Sequence, residues 1–84
     1  MRSTAGMPRP PFVPGSVFRA ARIVAGMTQQ EIGEEIDRDR RSIGRLESKG
    51  GFLTLGQNTS AGRMAHALAK RGVIIDGRTQ TIQW

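Results

Sequence analysis

Residues 22–47 read RIVAGMTQQEIGEEIDRDRRSIGRLE. Two short amphipathic segments stand back to back here with one tight turn between them. Thr28, followed three residues later by Glu31, has the form of a capping box at the start of the first segment, and Ile32 and Ile36 supply its buried stripe. Asp37 and Arg38 make the turn, where Asp37 tolerates a left-handed backbone. Asp39 caps the second segment, which runs to Glu47 or Ser48 and turns Ile43 and Leu46 inward at i and i+3. Gly33 lowers helix propensity in the first segment but lets the second approach closely. The second segment also carries Arg40, Arg41 and Arg45. A helix that buries one face and offers three arginines on the other suits a polyanion.

The flanking sequence completes a small domain. Ser16 is placed to cap a helix over about Val17 to Gly26, with Phe18, Ala21 and Ala25 at helical spacing. Gly50 and Gly51 open a loop in which Phe52, Leu53 and Leu55 fold back onto the core. Ser60 is placed to cap a fourth helix, Ala61 to Arg71, with an apolar face of Ala61, Met64, Ala65, Leu68 and Ala69 and with Gly72 just past its end. Val73 to Ile75 and Thr79 to Trp84 form a hairpin around the Asp76-Gly77 turn. Residues 1–15, with Pro8, Pro10, Pro11 and Pro14, are expected to be a flexible basic arm. The fold class is therefore mainly α: four helices and a short C-terminal β-hairpin (about 73–84) in one domain over residues 16–84.

Composition narrows the chemistry. The 84 residues allow one small domain, and no cysteine is present for a disulfide or thiolate metal site. With His66 the one histidine, no metal site and no cofactor is expected. No apolar run approaches the roughly 18–20 residues of a membrane span, and no secretory leader is apparent. The formal net charge is +6, and eleven of the thirteen Lys and Arg residues are arginine. Arginine contacts phosphate and guanine edges bidentately, so the bias favours nucleic acid.

A helix-turn-helix makes four demands at once: a short turn, a small residue where the helices touch, apolar ties to the core, and polar residues that reach base edges. Asp37, Gly33, Ile43 with Leu46, and Arg40 with Arg41 answer them in that order. With Arg22, the GMTQQEI run from Gly26 and the RRSIGRLE run from Arg40, the stretch resembles the phage-repressor and Cro-type (Xre-like) helix-turn-helix family over about residues 18–49. The resemblance implies a four-helix repressor-like domain binding the major groove of double-stranded DNA. It implies base reading by Arg40, Arg41 and Arg45. It implies a phosphate or base contact by Gln29 and an internal ion pair of Arg22 with Glu47. Read from their own positions, Arg38 in the turn and Lys49 just after the third helix are further phosphate candidates, and Thr28 and Ser42 are expected to contact phosphate or set register. Three positions depart from the usual pattern: Gly33 stands for alanine, Arg38 for valine, and Gly44 lies inside the third helix.

A charge run on a helix is by default a solvated face; its setting between a capped turn and a buried stripe is what favours DNA. Glu31, Glu34 and Glu35 lack a nucleophile or second histidine beside them, so capping and solvation explain them and no enzyme is expected. Ile82 and Trp84 alternate onto one side of the last strand, where they either cover the core or form a homodimer interface. The sequence thus predicts a sequence-specific transcriptional regulator, cytoplasmic and nucleoid-associated, from a bacterium or phage. A DNA-binding antitoxin, or an interaction module (an antiactivator) that has lost DNA binding, would use the same fold with a protein partner.

Overall fold

The computed structural model describes residues 12–49, 52–56, 59–77 and 81–84. In chain order the elements are β1 (Phe12–Pro14), α1 (Gly15–Val24), α2 (Gln29–Glu35), α3 (Arg40–Glu47), β2 (Phe52–Thr54), α4 (Ser60–Ala69), β3 (Ile74–Asp76) and β4 (Thr81–Gln83). The strands form two separate antiparallel pairs, β1 with β2 and β3 with β4. Among the described residues no helix is long and apolar enough to cross a membrane.

Capping chemistry sets where the helices start. Thr28 accepts a hydrogen bond from the Glu31 backbone N–H at 3.0 Å, and the Glu31 carboxylate accepts one from the Thr28 N–H at 2.7 Å. This reciprocal box satisfies two of the donors that a helix start leaves open. Asp39 accepts from the Ser42 N–H at 2.8 Å and opens α3. Two expected caps are corrected. Ser16 lies inside α1, which Pro14 enters from β1 in extended conformation with no side-chain cap. The cap of α4 is Thr59, which accepts from the Gly62 N–H at 2.9 Å; Ser60 is the first helical residue.

Three helices end by one device. Gly26, Asp37 and Gly72 all have positive φ, at 73°, 60° and 81°. The following N–H groups reach back five residues: Met27 to Arg22, Arg38 to Gly33 and Val73 to Leu68, at 3.1, 2.7 and 3.0 Å. These are Schellman closures, which satisfy carbonyls left open at a helix end. Only Asp37 among the three carries a side chain through the left-handed region, in the turn that aims α3. Gly33 makes that turn possible. A Cβ there would come within 2.6 Å of the Arg38 carbonyl oxygen and 3.4 Å of the Ile43 side chain.

One core gathers the inward faces of all four helices. Val13, Phe18, Ile32, Ile43, Met64 and Leu68 are its largest fully buried side chains. Val13 corrects the expected arm: β1 pairs Phe12 to Pro14 with Thr54 to Phe52, so the domain begins four residues earlier than read. Burying such a side chain is worth about 1.5–3 kcal/mol, which together with the β1–β2 ladder offsets the entropy of ordering the strand. The rest of the arm, residues 1–11 with Arg2 and Arg9, lies outside the described residues. Leu53 belongs to β2 rather than to a loop, and both it and Leu55 pack against the core. On α4 the buried face includes Ala67, while Ala69 is exposed, because α4 is turned toward α1 and β3 by Met64 and Leu68. In the hairpin Ile75 lies opposite Ile82, and both pack on the core.

The left-handed Asp37 predicts a gain of stability on mutation. A left-handed backbone costs an L-residue about 1–2 kcal/mol, part of which glycine gives back through the greater entropy of its unfolded chain. Asp37→Gly is expected to stabilise the fold by about 0.5–1 kcal/mol, seen as a melting temperature several degrees higher. A lower melting temperature would mean that the Asp37 side chain stabilises this turn.

Candidate nucleic-acid interface

The centre of the candidate interface is an ion pair beneath it. Arg22, at the end of α1, donates from Nε to Glu47 Oε2 at 2.7 Å and from Nη2 to Oε1 at 3.2 Å. Its Nη1 donates to the Met27 carbonyl at 2.9 Å. Gln29 adds a third hydrogen bond to the carboxylate, Nε2 to Oε1 at 3.1 Å. The Glu47 side chain is 2% exposed and that of Arg22 12%. One carboxylate on the last turn of α3 therefore joins α1, the α1–α2 loop and the first residue of α2.

This anchor sets which way α3 faces. Ile43, Leu46 and Glu47 are buried, and Arg40, Arg41 and Arg45 are exposed. At 100° per residue Arg40, Gly44, Ser48, Arg41 and Arg45 follow one another around the outward arc. Arg40 borders a cleft shared with Arg22, Thr28, Gln29 and Gln30. Arg45 borders another, on the opposite edge of α3, shared with Arg38, Lys49 and Ser60. The three arginines expected to act together do share one face; of the further cations that border the two clefts, Arg22 and Arg38 are engaged within the chain and Lys49 is exposed.

The residues expected at phosphate or register positions divide differently. Gln29 is engaged with Glu47, and Thr28 is engaged in the capping box. Arg38 donates from Nε to Ser60 Oγ at 3.1 Å and from Nη1 to the Asp37 carbonyl at 3.0 Å, so it braces the α2–α3 turn against α4. The Ser42 N–H is held by Asp39. Lys49 is exposed, just beyond α3. Sequence reasoning did not find the brace from Arg38 to Ser60, nor the pairing of Glu35 with Arg71 at 2.8 Å and Lys70 at 3.8 Å, which ties α2 to α4. Both join positions more than twenty residues apart and leave no local pattern. Ile82 packs on this chain's own core, whereas Trp84 is 81% exposed.

Two caps carry depressed carboxyl pKa values. The hydrogen bonds from Ser42 hold Asp39 below its usual 3.8, assisted by Arg45 and Arg41. The Thr28 N–H and hydroxyl hold Glu31 below 4.5, with a smaller contribution from Arg71. Comparison with known protein families, curated proteins and solved structures gave no match.

Two predictions follow from this geometry. Glu47→Gln leaves the Arg22 guanidinium in a nearly dry site without its counter-charge; breaking a buried pair in this way costs about 3–5 kcal/mol. Urea unfolding reads the loss, and an unchanged midpoint would show that the pair contributes nothing to stability. The two caps act through pH. Their folded pKa values lie below the unfolded ones, so their contribution is complete above pH 4.5 and is lost as pH falls through the folded values. Melting temperatures should hold above that range and fall below it. Asp39→Asn keeps a competent cap without a titrating group and should make the acid limb shallower.

Proposed function

We propose that the chain is a sequence-specific double-stranded DNA-binding protein of helix-turn-helix type, a transcriptional regulator that places α3 in the major groove. The observation that carries this reading is the state of the three arginines. Among the described residues the ion pairs join Arg22 to Glu47 and Lys70 and Arg71 to Glu35; Arg40, Arg41 and Arg45 belong to none of them. Arg41 and Arg45 are also four residues apart on one helix, a like-charge spacing that costs about 0.2–0.5 kcal/mol. A duplex relieves that repulsion. Its phosphates set the register through the flanking cations, and its guanine O6 and N7 atoms accept from the guanidinium forks. The mechanism is binding without bond-making chemistry, and it needs no cofactor.

A homodimer on a two-fold-related operator extends the proposal. Each good bidentate contact discriminates by only about 1–3 kcal/mol, so two copies are needed to single out one site, with recognition helices about 34 Å apart. Trp84, 81% exposed beside β4, is the most exposed large apolar side chain among the described residues and the one we assign to the contact between copies. The same exposed tryptophan also suits a protein partner, as the antitoxin or antiactivator reading requires.

DNase footprinting on the DNA upstream of the chain's own gene tests the main reading; no protected site and no salt-dependent shift would end it. On a recovered site, Arg41→Ala is expected to lose about 1–3 kcal/mol, against a much smaller loss on random duplex. Equal losses would reduce the arginine to an electrostatic contact. Deletion of residues 80–84 is expected to give a monomer with weakened operator affinity. Sedimentation of the truncated protein as a dimer of undiminished strength would remove the hairpin from the interface.

A further inference from the structure

The described helices with side-chain caps are not capped alike. Thr28 and Thr59 give α2 and α4 neutral hydroxyl caps. The helix that displays the arginines is capped by a carboxylate, Asp39. Serine, threonine or asparagine would cap about as well. The carboxylate gains from the helix dipole, but a negative charge at the end of a helix that meets a polyanion weakens that encounter.

The carboxylate has acceptor capacity left. An ionised carboxylate offers about four lone-pair sites. Within the chain its Oδ1 accepts from the Ser42 N–H at 2.8 Å. Asp39 is exposed and sits close enough to Arg41 and Arg45 to feel their charge. It therefore lies at the N-terminal end of the arginine face, the end from which recognition helices reach base edges. A fixed carboxylate there repels phosphate and cannot bond the O6 and N7 acceptors of guanine or the O4 of thymine. Cytosine is different, because its N4 amine presents a donor in the major groove with no adjacent acceptor.

Resting on the DNA-binding reading, we propose that Asp39 is a specificity-determining residue that selects cytosine by accepting a hydrogen bond from its N4 amine, beside a guanine read by Arg41 or Arg45. The carboxylate thus gives up general affinity for choice at one base pair. The Ser42 N–H, at 2.8 Å, fixes its orientation.

Selection from a randomised duplex library, run with the full chain and with Asp39→Asn and Asp39→Ser, tests this. Both replacements retain a side-chain cap, and thermal unfolding verifies that both fold. The wild type should select cytosine at one position next to a guanine. Asp39→Ser should lose that preference by roughly 5- to 150-fold while keeping the guanines. Asp39→Asn should shift the position toward adenine, whose N6 and N7 an amide matches. Both variants should bind random duplex more tightly. An unchanged preference at every position, with a uniform rise in affinity, would reduce Asp39 to a cap and an electrostatic brake and leave the DNA reading intact. A wild-type protein that selects no sequence would remove both.

Discussion

The fold depends on one buried carboxylate. Glu47 accepts three hydrogen bonds from two residues on different elements, and it sits where α1, the α1–α2 loop and α2 converge. Removing two charges from water costs several kcal/mol per ion, and a well-packed apolar pair is often at least as stable. What the ionic arrangement adds is direction. A guanidinium fork on a carboxylate is planar and two-pronged, so it fixes the angle at which the end of α3 meets α1. An apolar contact would allow α3 to roll. That matters because the apolar hold on α3 is small: within the helix it rests on Ile43 and Leu46.

The outward face of α3 follows from the same constraint. With Glu47, Ile43 and Leu46 turned in, geometry leaves Arg40, Arg41 and Arg45 turned out. Three of the acidic residues are occupied elsewhere, Glu31 in a cap, Glu35 with Arg71 and Glu47 with Arg22, and Asp39, the acid nearest Arg41 and Arg45, caps α3 and forms no ion pair with them. Arg38, which sequence placed on the phosphate side, is half-buried and braces the turn against Ser60. Three arginines are displayed on one exposed helix face whose direction is set by the buried Ile43, Leu46 and Glu47. This division between support and display is what the proposed interface requires.

Local rules made the middle of the chain legible. The capping box at Thr28, the left-handed Asp37, the Asp39 cap and Gly72 each rest on interactions within a few residues, and each stands in the structure as read. Arg22 with Glu47 came from resemblance to a family, since nothing in a 25-residue separation announces a pair. The β1–β2 strands escaped for a related reason. They are three residues each, joined across about forty residues, and the first is bracketed by Pro11 and Pro14, so composition spoke for an arm. Alanines misled on α4, where Ala67 and Ala69 are equally apolar and only tertiary packing chooses between them. Adjacent Thr59 and Ser60 were both competent caps; Arg38 engages Ser60 and leaves Thr59 to the helix.

Gly44 separates the demands of folding from those of the face. Glycine inside a helix costs about 1 kcal/mol relative to alanine. At Gly33 the cost has an internal reason, since a Cβ would strike the Arg38 carbonyl. At Gly44 it has none: a Cβ would meet only the Gln29 carboxamide, at 3.8 Å, an ordinary contact. Packing would accept alanine there. The outward arc of α3 therefore concentrates two features that weaken the isolated domain without serving it: a glycine and a like-charge pair at i and i+4. Departures of this kind, gathered on one face, are what the proposed DNA-binding role would account for. A missing side chain between arginines gives a close-fitting partner room to approach, and arginines without ion-pair partners give it something to bond.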